Sequence, residues 1–185
     1  MKKEKAIEIL DEWVNNNNLK KHMYAVGLAM KYYAGIFKED EEKWEVVGIL
    51  HDMDWEKYPT LGENGHPYKA VEYLKNIGVD DESLDAILGH ASYTNTARLS
   101  KMAKTLFAVD ELTGFIVAVA LIKPEKSLAV VDLLSVKKRL NEKRFASGVS
   151  REDIYKGAEE LGIPLDEHIQ NVILAMQKVS DVLGL

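Results

Sequence analysis

The sequence contains no cysteine, few prolines and no apolar run of membrane-spanning length. Without cysteine the chain forms no disulfides, no thiolate nucleophile and no zinc or iron–sulfur site built on thiolates. The longest uncharged run free of histidine, 112–122, has 11 residues, roughly half of what a bilayer requires. The basic N-terminal residues are not followed by the apolar segment of a signal peptide. We therefore expect a cytoplasmic protein with no membrane partner.

The chain also has fewer basic than acidic residues. The chain has 24 lysines and arginines against 30 aspartates and glutamates, for a formal net charge of −6. Such a balance gives no general attraction to nucleic acid or to anionic membranes. An anionic substrate therefore has to be attracted locally, by a metal ion or by a small basic patch.

Hydrophobic periodicity predicts an all-α fold. Apolar residues recur at helical spacing along most of the chain, and no segment alternates as a strand does. A change in pattern after Pro124 predicts a metal-binding helical core over 1–123 and a helical C-terminal extension over 124–185 that packs on it. The predicted helices include 19–37, 41–53, 99–122, 127–145, 150–161 and 164–183.

Several polar residues lie inside apolar helical segments. His51 and Asp52 directly follow the apolar run 46–50, and Asp110 interrupts the apolar stretch 106–116. A buried charge is costly unless it is compensated, and a divalent cation compensates it well. These residues are therefore candidate metal ligands.

Each of these residues, taken alone, also has a purely structural interpretation. A single histidine on an apolar helix face more often packs in the core than binds a metal. Asp110 could pair with Arg98, and His66 could cap a helix. His168 has charged neighbours and no partner motif, so we interpret it as a surface or packing residue.

Taken together, the histidines and aspartates follow the order H…HD…H…H…D. This order resembles the HD superfamily of metal-dependent phosphohydrolases over roughly residues 19–123, and it is similar to the small predicted HD hydrolases of bacteria and archaea. The stretch Lys137–Ile154 also looks like theirs. The resemblance implies six metal ligands, namely His22, His51, Asp52, His66, His90 and Asp110.

In HD proteins with this ligand order two metal ions are held, and the resemblance makes Asp52 the bridging ligand. One ion is then bound by His22, His51 and Asp110, and the other by His66 and His90. Imidazole and carboxylate ligands together suit Mn, Fe, Co, Ni or Zn. Two such ions hold a hydroxide and stabilise both oxygens of a phosphoryl displacement. The implied activity is hydrolysis of a phosphate ester or anhydride in a small metabolite, with a nucleotide or dinucleotide as the expected substrate.

Phosphate binding also requires positively charged side chains. By helical phase, Lys101 and Arg98 lie closer to the face of Asp110 than Lys104 does. We therefore predict Arg98 and Lys101 as catalytic residues alongside the His51–Asp52 pair of the motif.

Further charged groups have two interpretations each. The basic cluster 137–144 is either a solvated helix face or a lid for the distal part of a phosphorylated substrate. It is not expected to bind nucleic acid, because Phe145 is the one stacking residue nearby. Asp54 and Glu56 are interpreted as solvated surface carboxylates in preference to proton shuttles. They flank Trp55, where one-metal HD nucleotidases carry a glutamate.

Two other functions fit the same ligands. Four histidines and two aspartates on an HD scaffold also resemble the mixed-valent diiron oxygenases, which cleave C–C or C–P bonds with O₂. After hydrolysis and oxygenation, the third hypothesis is a non-catalytic, metal-binding regulatory module. The completeness of the ligand set argues against this hypothesis. Hydrolysis is favoured because it is far commoner among HD proteins. The substrate, the metal and the oligomeric state, a homodimer included, stay open.

Overall fold

The computed structural model describes residues 1–178 and Gly184, and this part of the chain contains α-helices, turns and two short 3₁₀ segments but no β-strand. The all-α prediction is therefore confirmed. Within the same residues, no helix is both long and apolar enough to cross a membrane. Helices α1 to α9 span Lys3–Trp13, Asn17–Phe37, Glu41–Leu50, Tyr68–Asn76, Asp81–His90, Lys101–Leu121, Leu133–Leu140, Arg151–Leu161 and Leu165–Gln177.

Short polar side chains begin most of the helices. The side-chain oxygen of Asn16 accepts hydrogen bonds from the backbone N–H groups of Asn18 and Leu19 at the start of α2. Asp80 caps α5 in the same way through the N–H of Ser83. Such caps satisfy backbone donors that have no partner inside the helix. They explain why the helices begin close to the positions that the sequence predicts.

One predicted helix in the C-terminal part differs from the structure, and a second is described in part. The single helix expected over 127–145 is a 3₁₀ turn at Leu128–Val130 followed by α7, because Asp132 and Ser135 form a capping box that begins a new helix. The helix expected over 164–183 is observed as α9, and residues 179–183 of that prediction lie outside the described residues.

Helix α3 ends three residues earlier than predicted, at Leu50. The backbone N–H of Met53 bonds to the carbonyl of Leu50, and that of Trp55 bonds to the carbonyl of Asp52. Bonds over three residues tighten the chain into turns. His51 and Asp52 therefore lie at the end of α3, where the chain turns.

Helices α2 and α3 approach each other at two glycines. A Cβ atom on Gly48 would lie 2.6 Å from Cα of Gly27, which leaves no space for a side chain. Gly27 is five residues after His22, and Gly48 is three residues before His51. The close approach of the two backbones therefore sets the separation of these histidines.

Helix α6 packs against α2, α5, α7, α8 and α9. It approaches α8 closely at Gly157, where an added Cβ would lie 2.5 Å from Cα of Ala108. Apolar residues of α8 and α9, such as Ile154 and Ile169, belong to the same buried cluster as those of α2, α3 and α6. The expected division after residue 123 stays a prediction.

Candidate metal centre

The fold brings six polar residues together from distant parts of the sequence. They are His22 on α2, His51 and Asp52 after α3, His66 before α4, His90 at the end of α5 and Asp110 on α6. All six are the ligands that the sequence resemblance implies. Their assembly at one place is what a metal centre requires, while their role as ligands stays a prediction.

The carboxylate of Asp52 lies at the middle of this cluster. Its Oδ1 atom is 3.5 Å from Nε2 of His51, 3.5 Å from Nε2 of His66 and 3.3 Å from Nε2 of His90. Its Oδ2 atom is 3.7 Å from Nε2 of His22. One carboxylate therefore faces all four imidazoles, three through Oδ1 and one through Oδ2.

Asp110 approaches the cluster from one side only. Its Oδ1 atom lies 3.0 Å from Nε2 of His22 and 3.4 Å from Nε2 of His51. Three overlapping groups have ligand atoms that all lie within 4.8 Å of one another, and they are His22–His51–Asp52, His51–His90–Asp110 and Asp52–His66–His90. Each of these three groups could hold a cation, and two of the three include Asp52.

Three of the histidines are oriented through their second ring nitrogen. Nδ1 of His51 bonds to the carbonyl of Gly48 at 2.8 Å, and Nδ1 of His90 bonds to the carbonyl of Ile87. A carbonyl oxygen only accepts, so Nδ1 carries a proton, and Nε2 is the nitrogen that has a lone pair when the ring is neutral. Histidines that bind metals are held in this manner.

His66 is held by a carboxylate that the sequence interpretation placed on the surface. Asp54 is fully buried, its Oδ1 accepts from Nδ1 of His66 at 2.8 Å, and its Oδ2 accepts from the N–H of Ala70 at 2.8 Å. The expectation of a solvated Asp54 is therefore wrong, because α4 covers it. Glu56 is exposed, and it accepts from the N–H groups of Asn15 and Asn16.

The aspartates and histidines shift each other's protonation. Burial alone would lower the pKa of His51, but the carboxylates of Asp52 and Asp110 outweigh burial and raise this pKa to about 9. Burial opposes ionisation of Asp52, yet His51 and His90 hold its pKa well below the usual range. The two aspartates are therefore ionised, and without a metal ion His51 takes up a second proton at Nε2, the atom from which a cation would displace it.

The residues present fit a divalent cation. Nε2 of His51 is buried and has no hydrogen-bond partner among the described residues, although it points to carboxylate oxygens 3.4 and 3.5 Å away. A buried nitrogen left without a hydrogen bond is costly. A metal ion coordinated by this lone pair would satisfy it and would neutralise the aspartates.

The structure gives both predicted phosphate-binding residues other partners. Arg98 makes a two-pronged ion pair with Glu160 at 2.7 Å and donates to the carbonyl of Gly89 at 2.8 Å. Lys101 is exposed and lies 3.6 Å from Glu39. Arg98 precedes the first residue of α6, so helical phase does not place it. Nine residues separate Lys101 from Asp110, which is about 13 Å along a helix.

Three residues near the cluster were given no role by the sequence interpretation. Tyr93 donates its hydroxyl to the carbonyl of His66, and the ring of Trp55 lies edge-on to the ring of His66 with centroids 5.1 Å apart. Burial, with Asp110 as neighbour, raises the pKa of Glu111 to about 7. The available signal was the position of Trp55, three residues after Asp52, and of Glu111, directly after Asp110.

The predicted basic cluster is partly paired. Lys137 bonds to Asp166 and Arg139 bonds to Glu142. Lys143 and Arg144 are exposed, in the turns 141–150 between α7 and α8. This segment ends beside the metal centre, because the N–H of Ser150 donates to Glu111 at 3.1 Å.

His168 is buried between α2 and α6, so it is a packing residue and not a surface one.

The fold and this site define a helical protein with a histidine–aspartate centre for divalent metals. A family model described as the HD domain matches residues 19–114, which is about half of the chain and contains all six of these residues. The chain therefore belongs to the HD domain family of metal-dependent phosphohydrolases. Neither the curated proteins nor the solved structures contain a match.

Proposed function

We propose that this protein hydrolyses a phosphate ester or anhydride of a small metabolite, a nucleotide or dinucleotide, at a site for two divalent transition-metal ions. The observation that carries the proposal is the position of Asp52, whose two oxygens face four imidazole Nε2 atoms at 3.3–3.7 Å. Mn, Fe, Co, Ni and Zn are the metals that suit these ligands.

Bound metal ions would supply Lewis acidity and would lower the pKa of water at the site. The side chains of the protein would hold the ions, and the groups bonded to the histidines orient these ligands. His22, His51 and Asp110 would hold one ion, His66 and His90 the other, and Asp52 both. The carbonyls of Gly48 and Ile87 keep the lone pairs of His51 and His90 directed into the site.

Two aromatic side chains support a substrate that carries a nucleobase. Trp55 and Tyr93 are each 38% exposed, and both contact His66. Half-exposed aromatic rings beside a phosphate-reacting centre are suited to stacking on a base. Together they give the His66 side of the centre an aromatic character.

Exposed basic groups lie in the segment that leads to Glu111, the residue next to Asp110. The turns 141–150 reach it through the contact of Ser150 with Glu111, and they carry the exposed Lys143 and Arg144. We propose that the side chains of Lys143 and Arg144 attract the phosphates of the substrate that lie farther from the centre. Lys101 would do the same for an extended substrate. Arg98 stays a candidate through the N–H groups that its ion pair leaves free.

The proposal is tested by metal analysis together with a screen of phosphomonoesters, phosphodiesters and dinucleotides. We expect His51→Ala and Asp52→Ala to abolish phosphate release and to lose at least one ion per chain, because each removes a ligand at the middle of the cluster. Asp85→Ala, at an exposed position on α5, is the matched control and should change neither quantity.

Several outcomes would contradict the proposal. Full turnover and full metal content in His51→Ala or Asp52→Ala would remove the metal centre from the reaction. One ion per chain in both wild type and His66→Ala would make the site mononuclear. Iron-loaded protein that consumes O₂ without releasing phosphate would be an oxygenase, and tight metal binding without either reaction would indicate a regulatory module.

A further inference from the structure

Asp54 is a fully buried carboxylate with no lysine or arginine within ion-pair distance in the described part of the chain. A buried carboxylate is stable as an anion only when hydrogen bonds compensate for lost water. Its two oxygens make one bond each, to Nδ1 of His66 and to the N–H of Ala70. These two bonds therefore define what Asp54 does.

The first bond fixes the proton of His66. An ionised carboxylate only accepts, so Nδ1 of His66 donates and its Nε2 carries a free lone pair. That lone pair points to Oδ1 of Asp52, 3.5 Å away. His51 and His90 obtain the same orientation from carbonyls three residues earlier in the chain. His66 lies in turns before α4 and has no such carbonyl, so its orientation depends on Asp54.

The second bond fixes the position of the segment that carries His66. Ala70 lies in the first turn of α4, and Pro67, which precedes this helix, provides no side-chain cap. The carboxylate of Asp54 takes the place of the cap and lies at the positive end of the helix. One side chain therefore locates both the ring of His66 and the start of α4.

We propose that Asp54 is a positioning residue that makes His66 a metal ligand and so sets the affinity of one of the two ions. Asp54 does not contact the substrate. Its negative charge also strengthens Nε2 of His66 as a donor to the metal, since a carboxylate on the other ring nitrogen raises the basicity of the imidazole. The inference rests on the proposed two-ion site for its effect on affinity, but not for its effect on the His66 proton.

The variant Asp54→Asn tests the proposal. An amide offers one oxygen and one NH₂ group, so it cannot accept from both His66 and Ala70. If its NH₂ group faces His66, the proton of His66 moves to Nε2 and blocks the lone pair. We expect Mn²⁺ or Zn²⁺ titration of metal-free protein to show one ion bound about 10- to 100-fold more weakly, with the other unchanged.

The matched control is Glu56→Gln, an exposed neighbouring carboxylate that contacts neither His66 nor α4. We expect both ions to bind the control with wild-type affinity. An equal loss in both variants would mean that general negative charge near the site matters, and it would overturn the specific role of Asp54. Wild-type affinities for both ions in Asp54→Asn would also overturn it.

A second measurement does not require metal or a stable variant. Nitrogen-15 NMR of metal-free wild-type protein, at a pH where His66 is neutral, should find its proton on Nδ1, and a proton on Nε2 would overturn the proposal. If wild-type protein binds a single ion, the two-ion function fails, whereas the role of Asp54 is still decided by this spectrum.

Discussion

At the scale of single residues, His168 shows how a buried histidine can serve packing alone. Its Nε2 lies 3.0 Å from the carbonyl of Ala108, and its Nδ1 lies 2.6 Å from the hydroxyl of Tyr33. The carbonyl only accepts, so Nε2 carries the proton and Nδ1 accepts from Tyr33. Burial lowers the pKa of His168 and keeps its ring neutral. The two hydrogen bonds of the neutral ring join α9 to α2 and α6.

This neutral histidine predicts a loss of stability in acid. The unfolded chain binds a proton at His168 near pH 6.5, whereas the folded chain binds it only at lower pH. As the pH falls below about 6.5 the unfolded state gains protons first, so the free energy of unfolding falls by up to about 1.4 kcal/mol per pH unit. Urea unfolding of wild type and His168→Gln at several pH values measures this.

The difference between the two proteins isolates His168 from the histidines of the metal centre. The stability of wild type relative to His168→Gln should be constant above pH 6.5 and decrease below it. A difference that does not depend on pH would show that His168 is protonated equally in the folded and unfolded states.

At the scale of elements, the close approach of α2 and α3 leads to a second prediction. Gly48→Ala places a methyl group 2.6 Å from Cα of Gly27. The gain in helix propensity, at most about 1 kcal/mol, is smaller than the cost of forcing two backbones apart. We expect the free energy of unfolding to fall by about 1–3 kcal/mol, measured by urea denaturation of the metal-free protein.

Gly114→Ala on α6 is the matched control, because an added Cβ there meets no atom within 4 Å. It should leave stability unchanged or raise it by up to about 1 kcal/mol. Equal effects of the two substitutions would mean that α2 and α3 can separate freely. In that case their glycines would not set the distance between His22 and His51.

At the scale of the whole molecule, Arg98 connects two distant parts of the chain. It pairs with Glu160 on α8, donates to the carbonyl of Gly89 beside His90, and lies 3.7 Å above the ring of Phe107. Its side chain is 9% exposed. The C-terminal part of the protein therefore supports the end of α5, from which His90 projects.

We expect Glu160→Gln to lower the free energy of unfolding by about 1–3 kcal/mol, because a largely buried guanidinium loses its charged partner. Lys156→Ala is the control, since this exposed lysine lies 3.9 Å from Glu160 and its pair is worth at most about 1 kcal/mol. Thermal unfolding of both variants makes the comparison. Equal, small effects would show that the Arg98–Glu160 pair behaves as a surface pair.

Much of the fold and the centre could be predicted because the cost of burying charge is visible in the sequence. Asp110 and the His51–Asp52 pair interrupt apolar runs, and periodicity with polar caps located most helices. The sequence interpretation placed Asp54 on the surface, whereas α4 packs over it and buries it. This tertiary contact cannot be inferred from the residues next to Asp54 in the chain. Arg98 was given its role by its helical phase relative to Asp110. That phase does not apply to Arg98, because the residue precedes the start of α6.

The tight contact of Gly157 with Ala108 has a consequence for the order of biosynthesis. The helix that carries Asp110 is complete well before α8 leaves the ribosome, since synthesis of residues 122–161 takes roughly two to eight seconds. During that interval the surface of α6 that α8 later covers stays accessible to chaperones and to other nascent chains. Slower translation over these residues would lengthen this exposure, and the yield of native protein should fall accordingly.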